Sequence, residues 1–254
     1  MDIHNLFTHH NWKYGIWSIF YNKTPDASGY CEYIGASIEI DPVIDHIVSN
    51  KKSLFDPEKA AAMYFWYKNA DRTDKSIIKY FPEYKHCVNE SHPLFNSNYG
   101  IYANDGLKRC IAVLKANKSS RHACFMINNN DAMSWNSIDK LCTNAVMFFI
   151  RNNKLKMIVQ MRSSNALTLL PYDNFIFCVW YAKVYNALIE EYPELLISTL
   201  EYQIASLHFF GNDLVEKSSY TAITTVNQIF SKDDLSSHNF ELNLEKKLLQ
   251  FLKQ

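Results

Sequence analysis

The sequence predicts an α+β fold, because segments with the period of a strand alternate with segments that have the period of a helix. Residues 154–162 alternate apolar and polar side chains, as a strand with one apolar face does. Residues 106–117 and the residues after 173 repeat apolar side chains with the helical period instead. Glycine and proline are few, and no linker or internal repeat divides the chain, so we expect residues 1–254 to form a single domain.

Two helices are predicted in the first half of the chain. The first is DPEKAAAMYFWYKN, residues 56–69, which has proline in its first turn and an aromatic face. The second is GLKRCIAVLKAN, residues 106–117. Its apolar side chains form one stripe, consisting of Leu107, Cys110, Ile111 and Leu114.

A hairpin, a long helix and a further strand follow. The hairpin joins AVMFFIR to KLKMIVQMR through the turn residues Asn152 and Asn153. A helix follows, for which Asp173 or Asn174 is a candidate cap. ISTLEYQIASLHFF, residues 197–210, is rich in β-formers, and the tail after it is polar and less patterned. The apolar face of the helix consists of Phe177, Trp180, Tyr181, Val184 and Leu188.

Composition excludes several classes of function. The chain has 26 basic and 26 acidic residues with no basic block, so we expect no nucleic-acid polymer as partner. It shows neither a secretory leader nor a long apolar run, so we expect a cytoplasmic protein that does not enter a membrane. Its six cysteines form no C-x-x-C pair, which predicts free thiols and no metal site.

The stretch RSSNALTLLPYD, residues 162–173, is predicted to connect a strand to a helix, a common place for ligand binding. Here a guanidinium fork and a hydroxyl, from Arg162 and Ser163, are suited to hold phosphate oxygens. A surface or ion-paired arginine is the alternative interpretation of Arg162.

The longer stretch LCTNAVMFFIRNNKLKMIVQMRSSNALTLLPYDNFIF, residues 141–177, resembles the core of the thymidylate synthase family, with the family's spacing from Cys142 to Arg162 and Pro171. NYG at 98–100, KANKSSRHA at 115–123 and SLHFF at 206–210 look like further motifs of that family. The motif-bearing core covers about residues 98–215. The resemblance implies a mixed sheet flanked by helices, and a homodimer that packs sheet against sheet.

Carried over position by position, the resemblance assigns roles to individual residues. Cys142 is the implied nucleophile that adds to C6 of a pyrimidine, a role suited to a thiolate. Arg162 and Ser163 are implied to hold the 5′-phosphate, and Arg121 is implied to reach it across the dimer interface. His122 stands where the family has a second arginine.

The sugar and base contacts are less regular. His208 is implied to contact the ribose, while Phe210 occupies a tyrosine position and lacks the hydroxyl. A packed strand with a core histidine is the alternative for both. Asp173 stands where synthases have the asparagine that recognises uracil, and the family's cytidylate hydroxymethylases carry aspartate there. A carboxyl group complements the amino edge of cytosine, whereas a plain helix cap is the alternative role.

Several positions depart from the family pattern. Ala62 or Met63 stands where the family has its catalytic glutamate, with Glu58 about a turn too early, and the stretch NKTPDASGY lacks the amino-terminal phosphate arginine. Thr143 replaces the usual histidine. Asn165 and Leu169 replace an aspartate and a glycine that face the folate, so the folate site is either rebuilt or unused.

The resulting prediction is a (deoxy)cytidylate 5-hydroxymethyltransferase that acts on a pyrimidine nucleoside monophosphate and uses 5,10-methylenetetrahydrofolate as carbon donor. The first alternative is a divergent relative without folate chemistry, either a nucleotide-binding protein or an enzyme that uses Cys142 in another reaction. The lesser alternative is a thymidylate synthase, against which Asp173 argues.

Overall fold

The computed structural model describes residues 26–27, 29–47, 55–129, 136–210 and 228–253. The first 25 residues, on which the expectation about a secretory leader rests, lie outside this part. Most of the stretch NKTPDASGY, which lacks the amino-terminal arginine, also lies outside it, as do residues 211–227 of the tail. The described elements form a five-stranded mixed sheet flanked by helices, which confirms the predicted α+β class.

The strands are β1 (Tyr30–Ile40), β2 (Cys124–Met126), β3 (Thr143–Arg151), β4 (Lys154–Asn165) and β5 (Leu196–Phe210). Their order across the sheet is β1-β5-β4-β3-β2. Neighbouring strands are antiparallel except β4 and β5, which are parallel. The parallel pair requires a crossover, and the long helix after β4 provides it.

The β3–β4 hairpin forms as predicted. Asn152 and Asn153 have φ values of 50° and 57°, the left-handed conformation that a tight two-residue turn requires and that asparagine tolerates. The alternating side chains of β4 also lie as predicted, with Leu155, Met157, Val159 and Met161 buried against the helices.

The longer helices cover one face of the sheet. These are α1 (Pro57–Asn69), α2 (Gly100–Ala116), α3 (Leu170–Ile189) and α5 (Phe240–Phe251), and α4 (Lys232–Leu235) is a single turn. Ser76–Lys79 and Pro82–Cys87 are short 3₁₀ turns between α1 and α2. No helix in the described ranges is long and apolar enough to cross a membrane.

Local features of the chain explain where α1 begins and where it ends. Asp56 caps its start by accepting hydrogen bonds from the backbone N–H groups of Glu58 and Lys59, and Pro57 occupies the first turn as predicted. The helix ends at Ala70, whose φ of 53° is left-handed.

Two helical expectations were wrong in detail. The second helix begins at Gly100, six residues before the predicted start. The apolar pattern missed the early turns because they bury small residues rather than large apolar ones. Neither Asp173 nor Asn174 caps α3, since Leu169 occupies the N-cap position and both residues lie inside the helix. The tail, described above as less patterned, contains the helix α5.

His46 links the segment after β1 to the carboxy-terminal segment by hydrogen bonds and ring stacking. Its Nε2 accepts a hydrogen bond from the backbone N–H of Ile229 at 3.1 Å, so Nδ1 carries the proton and donates to the carbonyl of Val43 at 2.6 Å. The ring stacks on Phe230 at 4.0 Å between centroids. Burial lowers the pKa of His46 to about 4, although the Val43 carbonyl and Asp41 oppose the shift.

This lowered pKa makes the contribution of His46 to stability dependent on pH. Between the unfolded value of about 6.5 and the folded value of about 4, the unfolded chain binds more protons, so the contribution is lost as the pH falls. We expect the difference in unfolding free energy between wild type and His46→Gln to shrink by on the order of 3 kcal/mol from pH 7 to pH 4.

Urea titrations at several pH values measure this difference. Buried carboxyl groups titrate in the same range, but they are common to both proteins and cancel. The exposed His86 provides the control, because His86→Gln removes an imidazole that is not buried. A change with pH for His46→Gln no larger than that for His86→Gln would contradict the prediction.

Candidate active site

The pairing of β3 with β4 places Cys142 beside Arg162. The backbone N–H of Arg162 donates to the carbonyl of Cys142 at 2.8 Å, and the guanidinium Nη2 lies 3.8 Å from the Cys142 Sγ. The same guanidinium donates to the carbonyls of Leu141 and Lys140 at 2.7 and 3.0 Å. The arginine is therefore fixed by the loop that carries the thiol.

The Cys142 thiol is half-buried rather than enclosed in the core. Burial raises its pKa, the positive charge of Arg162 lowers it, and the carboxyl groups of Asp173 and Asp139 raise it further. A bound anion or a change in either carboxyl group therefore alters the thiolate fraction.

The parallel pairing of β4 with β5 brings Ser163 and His208 together. Ser163 pairs in register with Ser206 and Asn165 with His208, and the Ser163 hydroxyl lies 3.5 Å from the His208 Nδ1. Guanidinium, hydroxyl and imidazole thus line one end of the sheet, as a phosphate and sugar site requires.

Phe210 and Asn165 have clear structural roles at this end of the sheet. Phe210 is 51% exposed, and its ring meets His208 edge to face at 5.9 Å. Asn165 is buried, and its Oδ1 accepts hydrogen bonds from the backbone N–H groups of Leu167 and Thr168. Asn165 therefore shapes the four-residue connection between β4 and α3.

Asp173 lies in the first turn of α3 and is buried. Burial alone raises the pKa of this carboxyl to about 7, and no hydrogen bond joins it to the described part of the chain. Its charge raises the pKa of the Cys142 thiol, which shows that the two groups share one environment. A buried carboxyl group that makes no hydrogen bond to the described residues is suited to recognise a polar ligand edge.

A group of tyrosines lies near Asp173, and sequence reasoning did not assign them a role. Tyr99 is the middle residue of the NYG motif, and its hydroxyl accepts a hydrogen bond from the backbone N–H of Thr143 at 3.3 Å. Its ring stacks on Tyr67 of α1 at 5.4 Å. The charge of Asp173 raises the pKa of Tyr67, Tyr84, Tyr99 and Tyr202, and in each case burial is the larger cause.

Arg121 and His122 are exposed and lie away from this site in their own chain. They precede β2, whose Cys124 pairs with Met147, and Met147 lies about 14 Å along β3 from Thr143 at the strand's usual rise. Arg121 precedes Cys124 by three residues, which places it still further from Thr143. Within one chain it is therefore not part of the Cys142 site.

The positions tied to folate by the resemblance do not reproduce the family's folate contacts. The Oδ1 of Asn165 is used by its own loop, and Leu169 packs against the hydrophobic core. α1 buries Ala61 and Met63 but no carboxylate, and Glu58 lies in its first turn. In the described residues no group of three His, Cys, Asp or Glu side chains is placed to hold a metal ion.

A thiol, a guanidinium and a buried carboxyl group therefore lie together at the end of the sheet, which makes this region the candidate active site. Comparison with known proteins adds the following. The chain is 32% identical over 115 residues to the deoxycytidylate 5-hydroxymethyltransferase of Enterobacteria phage T4, and the proteins of the same name from phages T2 and T6 match equally. No protein-family model matches the chain.

These matches cover 40% of this chain, which spans about 45% of the length of each phage protein. The resemblance to the hydroxymethylase branch is thereby confirmed. The similarity supports the class of protein, while the roles of individual residues stay predictions.

Proposed function

We propose that the protein transfers a hydroxymethyl group to C5 of deoxycytidylate. The single observation that carries this proposal is the half-buried Cys142 thiol, which lies 3.8 Å from the Arg162 guanidinium and close enough to the carboxyl of Asp173 for its charge to raise the thiol pKa. The names of the phage relatives support the same reaction.

In this mechanism the Cys142 thiolate adds to C6 of the cytosine, and C5 gains the electron pair needed to form a bond to carbon. Arg162 and Ser163 hold the phosphate, and His208 contacts the sugar next to Ser163. When bound, 5,10-methylenetetrahydrofolate supplies the one-carbon unit. Asn165 and Leu169 do not reproduce the family's contacts to this donor, so neither residue is assigned to its binding.

Asp173 provides the selectivity for cytosine. With a pKa near 7 the carboxyl group is protonated in a substantial fraction of molecules at neutral pH, so it donates to N3 and accepts from the 4-amino group. Uracil presents a donor at N3 and an acceptor at O4, so the ionised fraction of the carboxyl group places an acceptor against O4, whereas facing cytosine it still accepts from the 4-amino group. A thymidylate synthase activity is disfavoured for this reason.

A relative without folate chemistry stays as the second candidate, because α1 supplies no carboxylate where the family has its catalytic glutamate. It predicts nucleotide binding, or reversible addition of Cys142 to the ring, with no transfer of carbon. The following assay separates the two.

Tritium release from C5-labelled dCMP tests the nucleophile. We expect release that requires Cys142, and Cys142→Ser should reduce it by at least about a thousandfold while dCMP binding persists, because a hydroxyl is a much weaker nucleophile than a thiolate. The half-buried Cys124 of β2 supplies the control Cys124→Ser, which should release tritium at the wild-type rate.

The requirement for the carbon donor distinguishes the two candidate functions in this assay. Formation of 5-hydroxymethyl-dCMP only with methylenetetrahydrofolate supports the proposal. Tritium release without any carbon product supports the second candidate. Unchanged release by Cys142→Ser would remove the assigned nucleophile.

Asp173→Asn tests the recognition of the base. An amide keeps a permanent N–H donor that matches O4 of uracil and has no ionised, acceptor-only form to disfavour it, so the ratio of kcat/KM for dCMP to that for dUMP should fall by about ten- to a hundredfold. Steady-state tritium release with each nucleotide measures the ratio. Asp105→Asn, at an exposed position of α2, should leave it unchanged. An unchanged ratio in Asp173→Asn would limit Asp173 to a structural role.

We also propose that two copies pack sheet against sheet, with Arg121 and His122 completing the partner's phosphate site. The sheet face away from the helices carries half-exposed apolar side chains, including Met147, Phe149 and Ile158. Ion pairs from Lys156 to Glu39 and Glu201 cross three strands on this face. The distance of Arg121 from its own Cys142 supports a role in the other subunit.

Subunit mixing tests this arrangement. Arg121→Ala retains Cys142, and Cys142→Ser retains Arg121, so a mixed dimer contains one site with both groups. Equal mixing with random reassociation should restore about a quarter of the wild-type activity per site, because half of the dimers are mixed and each has one complete site. Activity no higher than that of the separate variants would place Arg121 in its own chain's site or outside any site.

A further inference from the structure

A polar cleft of about 250 Å³ opens beside the loop that leads to Cys142. Its lining includes Arg72, Cys87, His92, Asn96 and Asp139. The Nδ1 of His92 is shielded from solvent and has no hydrogen-bond partner among the described residues. A polar cleft of this volume accommodates several water molecules, which are the partners such groups ordinarily bind.

Asp139 is the buried carboxyl group of this cleft. It is 4% exposed, and its Oδ2 accepts hydrogen bonds from the backbone N–H and the hydroxyl of Ser97 at 2.8 and 2.9 Å. The Cys87 thiol donates a further hydrogen bond to its carboxyl group. These contacts hold the carboxylate in one orientation at the wall of the cleft.

Asp139 also lies close to the reacting thiol. It precedes Cys142 by three residues, and its charge raises the pKa of the Cys142 thiol. The helix α1, where the resemblance places a glutamate, presents Met63 and alanines instead. The described part of the chain therefore offers a carboxylate near Cys142 from a different element, the loop before β3.

We propose that Asp139 is the general base that activates water for the final addition at C5, and that the cleft supplies this water. The inference rests on the proposed hydroxymethylation and names the residue that replaces the family's glutamate. The sequence motifs assign no role to this residue.

The step balances as follows. Asp139 takes a proton from water, and the water oxygen forms a bond to the exocyclic methylene carbon on C5. The electron pair of that methylene double bond moves into the ring, where it forms the C5–C6 double bond as the C6–S bond breaks. Cys142 leaves as a thiolate, and the proton on Asp139 returns to solvent, so no oxidant or reductant is needed.

Asp139→Asn tests the proposal because an amide keeps the shape but cannot take the proton. With dCMP and methylenetetrahydrofolate, formation of 5-hydroxymethyl-dCMP should fall by about a hundred- to a thousandfold. Binding of dCMP, measured by calorimetry, should change by no more than about twofold, because the nucleotide contacts are intact. Asp233→Asn, an exposed carboxylate of α4, should behave as wild type.

Ser97→Ala gives a second and independent measurement that does not remove the carboxylate. Loss of the hydroxyl removes one hydrogen bond to the ionised form and raises the pKa of Asp139, so the acidic limb of the kcat profile should move to higher pH by about half a unit to one unit. A purely structural role for Asp139 predicts a lower kcat with an unmoved limb.

The outcomes separate the two levels of the argument. A wild-type protein that forms no hydroxymethylated product overturns both the proposed function and this inference. If the wild type is active and Asp139→Asn forms 5-hydroxymethyl-dCMP at the same rate, only the assignment of Asp139 as the general base is overturned. If Asp139→Asn does not fold, the pH profile of Ser97→Ala decides, and an unmoved limb refutes the proposal.

Discussion

The candidate site depends on the antiparallel pairing of β3 with β4, which fixes where a thiol and a guanidinium meet. One backbone hydrogen bond, from the Arg162 N–H to the Cys142 carbonyl, sets the register. The side chain then donates to the carbonyls of Leu141 and Lys140, so the arginine also holds the loop that carries the thiol. A positive charge bound in this way lowers the pKa of a thiol whose burial raises it.

Burial determines the remaining chemistry of the site. Asp173 and Asp139 both have raised pKa values caused first by burial, but they differ in their partners. No described donor reaches Asp173, whereas the backbone and hydroxyl of Ser97 hold Asp139. The carboxyl without a described hydrogen-bond donor is suited to match a base edge, and the anchored one is suited to exchange a proton with water. In the proposed mechanism, two identical functional groups thus differ in role because their surroundings differ.

Much of the fold could be predicted because periodicity reports which face of an element is buried. The alternation of β4, the Asn152–Asn153 turn and the capped start of α1 were all predictable from local chemistry. The spacing from Cys142 to Arg162 pointed to the site through the resemblance to the family pattern. Tyr67 and Tyr84 could not be found in this way, because their proximity to Asp173 arises from packing between distant elements.

The Tyr-Gly dipeptide at the start of α2 combines two requirements in adjacent residues. A Cβ at Gly100 would overlap the carbonyl oxygen of Tyr67, so α2 approaches α1 this closely only with glycine there. Tyr99 uses the same approach to stack on Tyr67 and to bring its phenol to the backbone beside Cys142. Substitution at either position is consequently restricted by its neighbour. A larger side chain at Gly100 would displace the Tyr99 phenol without changing any residue of the proposed nucleotide site.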